Sequence, residues 1–148
     1  MDIAQIKTVQ PHVLDGTLVT VEVDVSRGLH SLSIVGLAGK AVDEAKDRVS
    51  SAIKHSGFDS PKTKNQKVVI SLSPADIKKE GPLFDLPIAI AYLVATNNIK
   101  PPSEKTVFIG ELGLDGRLRP IKGVLNCVLT AKKFGYEEVV VPEDNAEE

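Results

Sequence analysis

The stretch KKEGPLFDLPIAIAYLVA, residues 78–95, decides the fold. A charged lead-in and the pair Gly81-Pro82 run straight into an apolar segment, the arrangement by which a chain sets a reactive group at a helix N-terminus. The residue in that place is Leu83, which can neither attack a bond nor carry a proton. Asp85 reads as the helix N-cap, and Pro87 falls in the first turn, where its missing N–H costs little. From Leu86 to Ala95 the segment is apolar on nearly every side, so this helix is central. Asn97 and Asn98 end it.

On the N-terminal side, Thr17 to Val25 alternates β-branched and polar residues, the period of a half-buried strand. Ser26-Arg27-Gly28 turns the chain into a second alternating run, His30 to Val35, and the pair reads as a hairpin. Ile3 to Val9 reads as a third strand beside them. After Gly36 the period lengthens. Ala41, Val42, Ala45, Val49, Ala52 and Ile53 recur at helical steps, with Asp43, Glu44, Lys46, Asp47 and Arg48 on the solvated face and Gly57 closing the helix. Residues 60–67 form a basic loop before the strand Val68–Leu72.

On the C-terminal side, Val107–Ile109 reads as a short strand and residues 113–117 as a tight turn. Lys122-Gly123 opens a last helix with Val124, Leu125, Val128, Leu129 and Ala131 inward, ending at Gly135. Val139–Val141 is the final strand. Residues 1–142 thus read as one domain, and residues 143–148 as the acidic start of a linker with nothing to bury. Strands first, then strands and helices interleaved, predict an α+β fold with helices packed against a mixed sheet.

Composition excludes several classes. With 42% hydrophobic and 26% charged residues the chain is ordinary globular material, and no apolar run reaches the roughly 18 residues of a membrane span. The N-terminus has no basic segment followed by an apolar one, and a single cysteine, Cys127, forms no internal disulfide; a cytoplasmic location is the expectation. A net charge of −2 supplies no global basic field for nucleic acid, so any such contact is local.

Gly36-Leu37-Ala38-Gly39-Lys40 sits between a strand and a helix, yet two residues separate its glycines and Ala41 follows the lysine. A phosphate-wrapping loop needs four residues between the glycines and a hydroxyl after the lysine. It reads as a turn. His12, His30 and His55 lie on three different elements and form no metal cluster, and Glu111 reads as an acid held by backbone at a strand end. Cys127 reads as a small buried hydrophobe.

Three segments, SLSPADIKKEGPLFDLPIAIAYLVA, FIGELGLDGRLRPIKGV and HSLSIVGLAGKAVDEAKDRVSSAIKHSGF, are similar to the N-terminal domain of the magnesium chelatase-like AAA+ ATPases of the ComM/YifB type. The first two also resemble the proteolytic domain of Lon and the C-terminal domain of RadA. The resemblance covers about residues 2–145 and implies a ribosomal protein S5 domain 2-like fold. In Lon the nucleophilic serine follows the Gly-Pro pair and a lysine activates it; the resemblance carries the serine to Leu83 and the lysine to Leu125. The two leucines are expected to pack against each other or a neighbour, contributing about 1.5–3 kcal/mol each if fully buried.

What the resemblance implies is a non-catalytic accessory domain preceding an AAA+ motor that is absent from this chain. That motor would bind ATP and magnesium, form a hexameric ring and remodel DNA during natural transformation. The domain's partners would be its own AAA+ domain, further copies and DNA, with no cofactor of its own and no membrane. The candidate DNA contact is Lys62, Lys64 and Lys67, joined by Lys78 and Lys79, because clustered lysines neutralise phosphates. Two other readings compete: a serine-lysine peptidase with a relocated dyad, Lys122 with Ser71 or Ser73, and insertion of magnesium into a porphyrin.

Overall fold

Val19, Val21, Val23 and Val25 alternate along β2 (Gly16–Arg27) and are all buried, which makes this strand the spine of the molecule. The computed structural model describes residues 3–79 and 81–147. Met1, Asp2 and Glu148, the ends of the expected domain and tail, lie outside the described residues, as does Glu80 of the lead-in to Gly81. β1 (Ile3–Pro11) lies beside β2, as expected for the run Ile3–Val9, and pairs with it antiparallel, with Ile6 opposite Val21. The remaining strands of the sheet are β3 (Ser31–Val35), β4 (Gln66–Ser73), β5 (Thr106–Phe108) and β8 (Glu138–Val140). Their order is β3-β4-β2-β1-β5-β8.

That order corrects the expected hairpin of β2 with β3. β4 inserts between them, antiparallel to β2 and parallel to β3. The reason is burial. β4 brings Val68, Ile70 and Leu72 against Val25, Val23 and Val21, whereas β3 leaves Ser31, Ser33 and Val35 exposed and suits an edge.

The helices are α1 (Lys40–His55), α2 (Asp85–Ala95) and α3 (Val124–Lys133). Ala4 and Ile6 of β1 face a core shared with residues of α1 and α2, while Val9, one step out of phase, faces a second core with Val124, Cys127 and Ala131 of α3. The sheet is therefore covered by α1 and α2 on one face and by α3 on part of the other. α2 is central as expected, with nine of its residues buried. Its end is held at Asn97, whose positive φ lets Asn98 N–H reach the Leu93 carbonyl.

A two-strand ribbon, β6 (Glu111–Leu112) and β7 (Leu118–Arg119), surrounds the predicted 113–117 turn. The acidic tail departs from expectation. Glu143–Asn145 forms a 3-10 turn, and Asn145 is buried because its amide brackets Ile121, accepting from its N–H at 2.9 Å and donating to its carbonyl at 3.0 Å. A backbone unit that no strand pairs is satisfied this way.

Gly36, the first glycine of the apparent phosphate loop, has φ +105°, and a Cβ there would stand 2.6 Å from the Leu72 carbonyl oxygen. Its conformation and its contact both serve packing of the β3 end on β4. Gly36→Ala is expected to destabilise the domain by about 1–3 kcal/mol, read as a lower urea midpoint at unchanged slope. An unchanged midpoint would remove the packing account.

Candidate functional site

The start of α2 is built by a 3-10 turn, Gly81–Phe84, that passes directly into the helix at Asp85. Phe84 and Asp85 are both fully buried, so the turn is anchored by a large apolar side chain and a carboxylate side by side. Asp85 is not the N-cap that its sequence position suggests. It is the first residue of α2, after Phe84, and its carboxylate turns away to accept from Arg48 Nε at 2.6 Å, Arg48 Nη2 at 3.2 Å and Leu112 N–H at 3.1 Å. A buried carboxylate needs charged or N–H donors, and a forked guanidinium supplies two. The Leu86 N–H meanwhile donates to the Gly110 carbonyl, at 3.1 Å.

Arg48 is thereby moved off the solvated face of α1. Its side chain keeps 17% of its exposure, and its contact with Glu44, 3.9 Å, is the looser one. The signal was present in the spacing, since Arg48 stands between the inward-facing Ala45 and Ala52 at helical steps. Burial pushes the Asp85 carboxyl up to about 6, while Arg48 and the Leu112 N–H pull the other way. The same hydrogen bond shifts Arg48 toward its charged form. Pairing favours both ions; at Asp85, desolvation wins.

Leu83 and Leu125 have different fates. Leu83 is half-buried and packs against the second core, formed by residues such as Val9, Ile109 and Val124. Leu125 is 53% exposed, and Leu129 54%. The expectation that both leucines fill one pocket fails for Leu125, and the inward assignment of Leu125 and Leu129 fails with it. Val124, Cys127 and Ala131 take the inner face of α3, and Leu125, one step on from Val124, is turned outward by the helical twist.

The five lysines do not form one patch. Lys62 pairs with Asp47 at 2.6 Å, and this hydrogen bond lowers the Asp47 carboxyl. Lys64 pairs with Asp59 at 3.3 Å, and Lys67 is exposed at the start of β4. Lys78 lies beyond the other end of that strand, whose eight residues span roughly 25 Å. Lys79 is buried and its Nζ donates to the Ile77 carbonyl, so it is no surface cation.

The remaining candidates stay apart. His12 meets Thr17, His30 the Lys64 carbonyl and His55 Ser51, and among the described residues no group of His, Cys, Asp or Glu could hold a metal. Cys127 has no exposed surface, and burial pushes its thiol up to about 12, which makes it packing material. Glu111 sits in β6 opposite Arg119. A cleft of about 720 Å³ opens at the far end of the sheet, lined by Ile3, Lys7, Val94, Lys105, Phe134 and Tyr136. It takes residues 3–7 of β1 as one wall, and neither Val9 nor Leu83 lines it. No described helix is long and apolar enough to cross a membrane.

A family model described as subunit ChlI of Mg-chelatase matches residues 21–145. The chain belongs to the ChlI family. It is 43% identical over 131 residues to the uncharacterized protein YifB of Escherichia coli K12, covering 88% of this chain and 25% of that one. Against the competence protein ComM of Haemophilus influenzae the identity is 41% over 132 residues, with the same coverage, 88% and 25%. A more distant likeness, 30% over 139 residues, joins 91% of the chain to 18% of the peroxisomal Lon protease homolog 2 of Caenorhabditis elegans. This ChlI-family chain thus spans about a quarter of the length of its YifB and ComM relatives, and its mixed α+β architecture is Lon-like.

The Asp85 junction yields two expected outcomes. Its folded carboxyl value lies above the unfolded one, so the stability it contributes is complete below about pH 4 and declines as pH rises to about 6, levelling beyond. The unfolding free energy of the parent relative to Asp85→Asn should fall by on the order of 3 kcal/mol across that window; a difference that rises instead would reverse the assignment. Arg48→Ala strands a buried carboxylate and should cost about 3–5 kcal/mol at pH 7, whereas the pair Arg48→Met with Asp85→Leu should cost much less. Urea titration of the single and double variants measures both.

Proposed function

We propose that this domain is a non-catalytic accessory domain of a longer magnesium chelatase-like protein of the ComM/YifB type, working in the cytoplasm as a docking element for assembly. The observation that carries the reading is the chemistry at the two positions matched to Lon's dyad: Leu83 is wedged half-buried in an apolar core, and Leu125 faces outward. Neither has a group that could attack, accept a proton or hold an oxyanion. An alternative base and nucleophile, Lys122 with Ser71 or Ser73, gains no support, since Lys122 is exposed and no hydrogen bond joins it to either serine among the described residues.

ATP and magnesium belong in this proposal to the AAA+ portion that the longer relatives suggest. The residues here do not fit a nucleotide: Gly36 is committed to the Leu72 contact, and the four residues Gly36–Gly39 are too few to wrap a phosphate. No catalytic step is assigned to this chain. The same proposal makes the ring a hexamer and its task DNA remodelling, in keeping with the competence name carried by the ComM relative.

Incubation with a fluorophosphonate probe should leave every serine unlabelled, and unfolded casein should stay intact; a modified Ser71 or Ser73 would restore the peptidase reading. DNA contact through the loop is tested separately. Because Lys62 and Lys64 are already ion-paired, changing Lys62, Lys64 and Lys67 to alanine should alter affinity for forked DNA by less than about threefold at low salt. A loss of tenfold or more, shrinking at higher salt, would assign the loop to DNA.

A further inference from the structure

The outer face of α3 is apolar where a solvated helix should be polar. Leu125, Leu129 and Lys132 recur at steps of four and three, which places them in one stripe along the helix, and Lys122 lies just before its start. The two leucines of that stripe are each more than half exposed. Beside them the tip of the β1–β2 connection carries Val13, 93% exposed, and Leu14, 91%. The tip is tied to the helix: Asn126 Nδ2 donates to the His12 carbonyl at 2.7 Å and to the Val13 carbonyl at 3.3 Å. Four large exposed side chains are thus gathered by a specific hydrogen bond, and such a cluster marks a contact surface.

Charge selects among occupants. α3 contains no acidic residue, and Lys122, Lys132 and Lys133 enter no ion pair among the described residues; Lys133 only overlies the Phe134 ring at 5.8 Å. Acids occur outside the helix, with Asp15 in the tip, the Glu143–Asp144 pair in the turn whose Asn145 bonds Ile121, and Glu137 and Glu138 beyond the helix end. A second copy laid antiparallel on the stripe would set Lys122, at the start of one helix, toward Lys132 and Lys133 at the end of the other, a repulsive arrangement. A permanent interface is also poorly served by so few apolar residues, because lasting interfaces are larger and more hydrophobic. The match is a reversible partner with apolar residues between carboxylates.

We propose that the stripe Leu125–Leu129–Lys132 of α3, with Lys122 just before the helix and Val13 and Leu14 of the tip, is a docking surface for an amphipathic helix bearing acidic flanks, presented by a separate protein. The contact is of the helix-on-apolar-face kind, with leucines giving affinity and lysines giving orientation. It rests on the accessory-domain reading only in that the position matched to Lon's lysine is free to serve as surface; the serine-labelling test above bears on that reading, whereas the test below does not depend on it.

The probe is a synthetic helical peptide with leucines at three- and four-residue steps and glutamates on both flanks, titrated into the isotopically labelled chain. Amide shifts should be confined to residues 12–14 and 122–133, and Leu125→Glu should weaken binding roughly tenfold or more without altering the thermal midpoint. Lys132→Glu with Lys133→Glu should do the same, and a peptide with lysines in place of the glutamates should not bind. Equal binding by Leu125→Glu, equal binding of the lysine peptide, or concentration-dependent dimers sealed through this face would each overturn the proposal.

Discussion

A carboxylate with no exposed surface must be satisfied, and at Asp85 that requirement organises the domain. Its three donors come from two separate elements, the guanidinium of α1 and the amide of β6, so one side chain fixes the relative placement of α1, α2 and the small ribbon. The fully buried Phe84 next to it leaves the turn Gly81–Phe84 one way to enter the helix. The direction of Leu83 follows from those two anchors. A reactive group at that position would inherit rigid aim; a leucine inherits only a place in the core.

Much of the fold could be read from periodicity because periodicity reports burial. The valine alternation of β2, the helical stripe of α1 and the all-round apolarity of α2 are each the direct trace of a face or surface removed from water. What could not be read was which strands meet. β2 and β3 follow each other with a short connection, and a hairpin is the local solution, but β4 buries three residues where β3 buries one and takes the inner place. That choice is settled by comparing burial across some forty residues of intervening chain, and no local pattern carries it.

The site was legible in its identities and illegible in its orientations. Gly81-Pro82-Leu83 and Leu125 could be placed by motif, yet sequence spacing gave α3 an apolar arc too wide for one face, with Val124, Leu125, Val128, Leu129 and Ala131 all admissible inward. The sheet accommodates the side led by Val124, Cys127 and Ala131, and the Asn126 bond to the tip holds that rotation. Arg48 was misplaced for the converse reason: a charged residue on an inward row looks solvated until its buried partner is known. Lys79 repeats the lesson, since a run of charge does not say which member the backbone turns inside.

The two positions matched to Lon's dyad lie in different surroundings, Leu83 against the core and Leu125 in solvent. A base lysine at the position of Leu125 would have to reach inward and lose its proton, which requires burial of the amine. Here the helix presents that position to solvent, where an amine would stay charged and a leucine is left uncovered. Uncovered leucines are an aggregation hazard unless something binds them, and the chain keeps two on α3 and two hydrophobics on the tip within a basic frame. In the docking proposal the basic frame limits self-association and selects an acidic partner, and the orientation of α3 that turns Leu125 and Leu129 outward is what supplies the apolar surface.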